Sequence, residues 1–305
     1  MLKTTKFLGL DCVQLENDAL SLLVTRSTGP RVLRLQLRGQ QSLFAEVPDF
    51  TLEHPGGDPF HVWGGHRLWH APELARRTYL PDEAPPEIEE VEGGLVVTQP
   101  AEPATGLQKS MRITLPGDGT AVVVDHVLTN LGLWPVKTAP WAITQLRLGG
   151  VAILPQGGGP SEADGLLPNR QLALWPYTDV RSPHLVWGND HILVHATLRG
   201  GALKVGFPNP RGWLAYHLGE SLFVKRARFE AGKEYFDLGS SSECYCNAHF
   251  LELETLGAAG ILEPECSVHH REVWQVFDRV SFTPEERAVQ ALIEDYGLDR
   301  ESPFL

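Results

Sequence analysis

The sequence predicts an all-β protein of antiparallel strands, and three observations carry that prediction. Short apolar runs alternate with polar residues at the period of two that a half-buried strand requires. The 30 glycines and 23 prolines of the 305-residue chain fall between those runs and punctuate them as turns. Helix signals are confined to the C-terminal end, and no interval reads as the helix of a β-α-β crossover.

Three strands open the chain, at residues 12–16, 20–25 and 31–37, with Asn17-Asp18 and Thr28-Gly29-Pro30 as turns. In the third, Val32, Leu33, Leu35 and Leu37 interleave with Arg31, Arg34, Gln36 and Arg38, so one face is dry and one is wet. Residues 47–90 then lose strand periodicity and are rich in proline. An excursion of that length is functional or disordered, and its tryptophans argue for function.

Strands resume at 88–91, 94–98, 108–115 and 121–129, where Pro116-Gly-Asp-Gly119 is the tightest hairpin signal. Further strands are expected at 142–146, 151–154, 172–175, 191–198, 203–206, 213–218, 222–229, 243–246, 250–255 and 268–277. A second long excursion, 156–190, contains Gly157-Gly-Gly159, which lacks the lysine and glycine spacing of a phosphate loop and reads as flexible. Thr283-Pro284-Glu285-Glu286 forms a capping box for a short helix over about 284–296, closed by Gly297.

A formal charge of −12 argues against nucleic acid or an anionic membrane as partner, since both demand a basic face. No stretch approaches the roughly 20 apolar residues of a membrane span. The four cysteines and the absence of a signal-peptide pattern lead us to expect a cytoplasmic protein with free thiols, Cys244 and Cys246 sharing one strand face. With no linker and no repeat, residues 1–305 are expected to form a single domain, as a monomer or homodimer.

Two stretches concentrate the chemistry. Trp63-Gly64-Gly65-His66-Arg67-Leu68-Trp69-His70-Ala71-Pro72-Glu73 gathers polar and aromatic side chains between paired glycines and a proline, and reads either as a shaped binding loop or as the plug of a β-sandwich end. Its His66 and His70 have the spacing of two metal ligands on a helix, but the glycines and the proline speak against a helix, so no metal is expected. In Phe250-Leu-Glu-Leu-Glu-Thr255, alternation places Glu252 and Glu254 with Phe250 on one face. Those carboxylates either lie on a solvated face or line a polar cleft, where burial and mutual repulsion raise one pKa towards neutrality. Lys225 shares a strand face with Phe223 and is either a cleft cation or a surface lysine whose stem covers apolar area. Of His269 and His270, alternation turns one to the surface and one inward.

The run 250–257, followed by Leu262-Glu-Pro-Glu-Cys-Ser267 and Glu272-Val-Trp-Gln-Val-Phe277, resembles the C-terminal part of the galactose mutarotase-like (aldose 1-epimerase) superfamily. Gly-Pro-Arg31, Gly-Gly-His-Arg-Leu-Trp69 and Leu128-Thr-Asn130 follow in the order that family uses, so the resemblance covers nearly the whole chain through short motifs. It implies a β-supersandwich of two large antiparallel sheets, with excursions 47–90 and 156–190 bordering a carbohydrate cleft. It places the family's catalytic base on Glu254. Where the family has the histidine that protonates the sugar ring oxygen, this chain has Pro140-Trp141.

The resemblance implies mutarotation of a sugar or glycan without a cofactor: a base removes the anomeric proton and an acid protonates the ring oxygen. Glu254 is the expected base and His66 or His70 the expected acid, with Arg67, Trp69, Trp141, Glu252 and Lys225 as sugar contacts. A non-catalytic carbohydrate-binding protein is the alternative that the missing histidine favours. A sugar lyase or hydrolase on the same fold is a third.

Overall fold

The chain folds as two large antiparallel sheets packed face to face in a computed structural model that describes residues 3–157 and 163–305. The 12-stranded sheet runs from Lys3–Phe7 at one edge through Leu10–Glu16, Leu20–Thr25, Arg31–Leu37, Phe60–Ala71, Val136–Leu146, Leu251–Leu256, Ser242–Asn247 and Ala202–Phe207 to Ala173–Leu174. Glu46–Leu52 and Gly260–Leu262 pair onto its middle. The 10-stranded sheet is centred on Ser221–Ala227, Ser267–Phe277 and Ala121–Asn130.

Alternation sorts each strand between layers. Leu20, Leu22, Val24, Leu251, Leu253, Cys244 and Cys246 point between the sheets, where they join Val122, Val124, Phe223 and Trp274 in the main core. The outer face of the 12-stranded sheet carries a second, aromatic cluster with Phe60, Trp69, Trp141 and Phe250. On the outer face of the 10-stranded sheet, Val289, Leu292 and Ile293 of the helix Glu286–Tyr296 cover Ile153, Leu193 and Val224. That helix starts two residues later than the capping box predicts, with no side-chain cap from Glu285, and it ends at Gly297 in the left-handed conformation.

The opening strands lie where their alternation predicts, and Cys12, Cys244 and Cys246 are buried free thiols while Cys266 is exposed. His269 is exposed and His270 is buried. Residues 158–159 of the Gly157 loop lie outside the described residues. The proline-rich excursion departs from the prediction: its core is a 12-residue strand, Phe60–Ala71, in the middle of the larger sheet.

A bulge explains why the sequence hid that strand. Trp63, Gly64 and Gly65 all have positive φ, of 60°, 97° and 72°. Phe60 and Val62 belong to the outer face before the bulge, but Trp69 and Ala71 belong to it afterwards, while Leu68 enters the main core. Each extra residue of a bulge exchanges the two faces of the strand that follows. The glycines are required there, since a Cβ on Gly64 would lie 2.0 Å from the Ala45 carbonyl oxygen and one on Gly65 2.1 Å from that of Val32. Buried Arg31 clamps the approach to the bulge, donating to the Val62 and His61 carbonyls at 2.8 and 3.1 Å and pairing with Asp82 at 2.8 Å.

Candidate active site

Three neighbouring strands of the larger sheet present the site. Phe60–Ala71 supplies Arg67 and Trp69, Val136–Leu146 supplies Trp141 and Gln145, and Leu251–Leu256 supplies Glu252 and Glu254. Register sets Ile143 opposite both Arg67 and Glu254, and Gln145 opposite Glu252. Ala202–Phe207 adds Lys204, while Phe50, Tyr79, Trp175 and Tyr177 from the two long excursions close the sides of a cleft of about 410 Å³. Both excursions thus border the cleft, as the family resemblance implies.

Glu252 is the carboxylate that lines this cleft. Its Oε1 accepts from Gln145 Nε2 at 2.9 Å and from Arg67 Nη2 at 3.2 Å. Burial raises its pKa against the pull of Arg67, neighbouring Glu254 raises it further, and the outcome is about 7. The Arg67 guanidinium lies over the Trp69 ring at 4.1 Å, and its Nε and Nη1 have no hydrogen-bond partner among the described residues. Two buried donors of a fixed planar fork are therefore left for a ligand oxygen.

Glu254 is completely buried and does not line the cleft. It accepts from Trp141 Nε1 at 2.7 Å and from Lys204 Nζ at 3.0 Å. Lys204 lies between the rings of Trp141 and Trp175, 4.7 and 4.6 Å from their centroids, and pairs with Glu243 at 2.6 Å. Burial works against its charge, but Glu243 and Glu254 overcome that and hold its pKa well above the usual lysine value. Burial also drives the Glu243 carboxyl well above the carboxylate range, despite Lys204. The cluster is thus an ammonium held by two carboxyl groups, roofed by indoles.

The two histidines expected to face Glu254 stand on the other side of the sheet. After the bulge, His66 and His70 point between the sheets, and the expected acid is absent from the cleft wall. His70 is buried 3.4 Å from Glu102, which also binds Lys109. Lys225, expected in the cleft or on the surface, is also interior: its Nζ contacts the Ala142 and Leu253 carbonyls at 2.9 Å, Thr144 Oγ1 at 3.1 Å and Glu272 at 2.8 Å. The same parity change accounts for the histidines. Lys225 lies inside because its strand turns that face to the core.

These groups form a proton-ordered chain. His126 Nδ1 donates to the His270 carbonyl at 2.9 Å, so its Nε2 accepts from His66 Nε2 at 2.7 Å, and His66 Nδ1 in turn accepts from Thr144 Oγ1 at 2.9 Å. Ligand atoms of His66, His126 and Glu272 lie within 4.8 Å of one another, as a metal site would require. The ordered hydrogen bonds and the Lys225 ammonium already satisfy those atoms, so the donor set fits a neutral chain better than a cation. His66 and His70 cannot chelate together, because four strand residues separate them by roughly 13 Å.

Neither a family model nor a curated protein matches the sequence. Solved structures do. The "putative aldose 1-epimerase" of Klebsiella pneumoniae superposes with a TM-score of 0.60 at 9% identity, over 96% of this chain and 85% of that one. The "putative mutarotase (YeaD)" of Salmonella typhimurium gives 0.55 at 14% identity, over 91% and 94%. A galactose mutarotase-like protein from Lactobacillus casei gives 0.50 at 10% identity, over 87% and 100%. The chain has the galactose mutarotase-like fold. At these identities the likeness shows the fold alone, so the mutarotase-like cleft must be read from its own residues.

Of the residues predicted for that cleft, Arg67, Trp69, Trp141 and Glu252 line it together, and Glu254 lies directly beneath. Lys204, Gln145, Trp175, Tyr177, Tyr245 and Asn247 also line it and were missed. Lys204 had a signal: in Ala-Leu-Lys-Val-Gly-Phe207 it is the charged residue in an apolar strand, on the face opposite Leu203 and Val205.

Proposed function

We propose that this protein binds a sugar in the mutarotase-like cleft and interconverts its anomers, with Glu252 as the group that exchanges the anomeric proton. One observation carries the reading. A buried carboxyl with a pKa of about 7 lies beside an unfilled guanidinium fork inside an aromatic cleft. Indole and phenol rings pack against the apolar face of a pyranose, and the fork and the Asn247 and Gln145 amides suit its hydroxyls.

In this scheme Glu252 Oε2, which has no partner among the described residues, takes the proton from the anomeric hydroxyl. A proton from solvent reaches the ring oxygen as the C1–O5 bond opens, and the Lys204 ammonium, held charged by Glu243 and Glu254, steadies the negative charge that develops there. The free aldehyde turns about C1–C2, the ring closes on the other face, and each proton returns. General acid and base steps of this kind contribute about 10²–10⁴-fold each. Arg67 positions the sugar through its free Nε and Nη1.

Binding without catalysis is the second reading, and the lack of an imidazole among the cleft residues favours it. Anomer exchange measured by NMR over a panel of aldoses separates the two. Exchange faster than the spontaneous rate supports the epimerase. Sugar-dependent stabilisation with exchange at the spontaneous rate supports a binding protein, and no response to any sugar contradicts both.

A further inference from the structure

The cleft is not the only hollow on its face of the sheet. A second, of about 520 Å³, adjoins it and is lined by Arg34, Gln36, Gln41, Arg147 and His249 among others. The wall between the two is one layer of rings: Phe50 lines the cleft and meets the His249 ring edge-on at 4.9 Å. Gln145 faces the cleft and Arg147, two residues further along the same chain direction, faces the second hollow. A third hollow of about 150 Å³ continues beyond it and shares Arg34 and Gln36. The three therefore lie in a row across the strands, with the Phe50 and His249 rings between the first two.

The lining has the chemistry of a hydroxyl-rich polymer. Arg147 Nη1 donates to Gln41 Oε1 at 2.8 Å, and Arg34 approaches Glu46 at 3.6 Å. The Nε atoms of both arginines are buried without a partner among the described residues. Amides and guanidinium edges offer paired donors and acceptors to vicinal hydroxyls, and Ala45 and Leu148 supply apolar surface beside them.

We propose that the ligand is an oligosaccharide: the cleft holds its terminal unit, and Arg34, Gln36, Gln41 and Arg147 hold the next. This rests on the sugar reading of the cleft. Among the described residues the Arg147 guanidinium is matched only by the neutral Gln41, so an acidic second unit gains most from this subsite.

The test is binding of the full chain to an array of mono-, di- and trisaccharides of neutral hexoses and of uronic acids, followed by calorimetry on the hits. The expected result is that lengthening from one unit to two lowers Kd at least tenfold. Gln36→Ala and Arg147→Ala should each remove much of that gain, leaving monosaccharide affinity and the unfolding midpoint unchanged. Monosaccharide binding that is not improved by any second unit, or a gain that survives both substitutions, overturns the second subsite while leaving the sugar cleft standing. An array on which nothing binds overturns both.

Discussion

Glu252 is held between two demands: Arg67 and Gln145 favour its charge, while burial and Glu254 oppose it. Because its pKa in the fold is raised above the unfolded value, folded protein binds the proton more tightly, and this group's contribution to stability is full below about pH 4.5 and is lost as pH rises through 7. Glu252→Gln mimics the protonated form at every pH. The variant's melting temperature minus that of the parent should therefore grow from pH 4.5 to pH 7, as scanning calorimetry would read. A flat difference would show that Glu252 is ionised throughout.

Lys204 makes a second claim at the same scale. Its ammonium is the shared cation of Glu243 and Glu254, both completely buried. Lys204→Met leaves those carboxyl groups buried with no counter-charge, at a cost of about 3–5 kcal/mol. Adding Glu243→Gln and Glu254→Gln should restore much of it in urea unfolding. A single variant as stable as the parent would mean that the cluster does not depend on its cation.

Among the elements, the Phe60–Ala71 strand decides which side chains reach the cleft, and its bulge is where sequence reasoning fails. Alternation read from Phe250 predicts faces correctly, because that strand presents two clean sets of residues; read from Arg31 it does not, since Arg31 is completely buried and Leu33 packs on Cys12 and Leu23 outside the main core. In Trp63–Glu73 apolar Leu68 and Ala71 stand among polar, aromatic and glycine residues at no regular spacing, so no period is visible, and three successive left-handed residues shift the parity. His66 and His70 thereby exchange places with Arg67 and Trp69. Motif resemblance selects Glu254 over Glu252, yet only the packing of Trp141 and Lys204 over Glu254 shows which of the two lines the cleft.

The bulge also makes a prediction. Gly64→Ala demands a φ that costs about 1–3 kcal/mol and a Cβ inside the Ala45 carbonyl. We expect a stability loss of at least that size in urea unfolding, together with weakened sugar binding, since Arg67 and Trp69 follow directly. Normal stability and affinity in this variant would mean that the bulge is not what aims them.

For the molecule as a whole, the interior histidines set the acid limit. Burial lowers His66 well below its usual value and holds His126 and His270 at about 3. With folded pKa values depressed, their contribution is present above pH 6.5 and is lost as pH falls, by about 1.4 kcal/mol per pH unit for each. Between pH 6.5 and 4.5 the raised carboxyls of Glu252 and Glu243 run the opposite way and offset part of the loss. Below 4.5 that offset ends, and Glu102, whose pKa Lys109 and His70 hold down against burial, adds to the fall. Unfolding followed against pH should be shallow to pH 4.5 and steep beneath it. A protein still folded at pH 3 would show that the histidines accept protons in place.

The proposed role of Glu252 in moving the anomeric proton is tested most directly by NMR exchange spectroscopy on the parent and Glu252→Gln with a sugar that both bind. The predicted result is exchange above the spontaneous rate in the parent, reduced by about 10²–10⁴-fold or to the spontaneous rate in the variant, with affinity retained. Undiminished exchange in Glu252→Gln would contradict it.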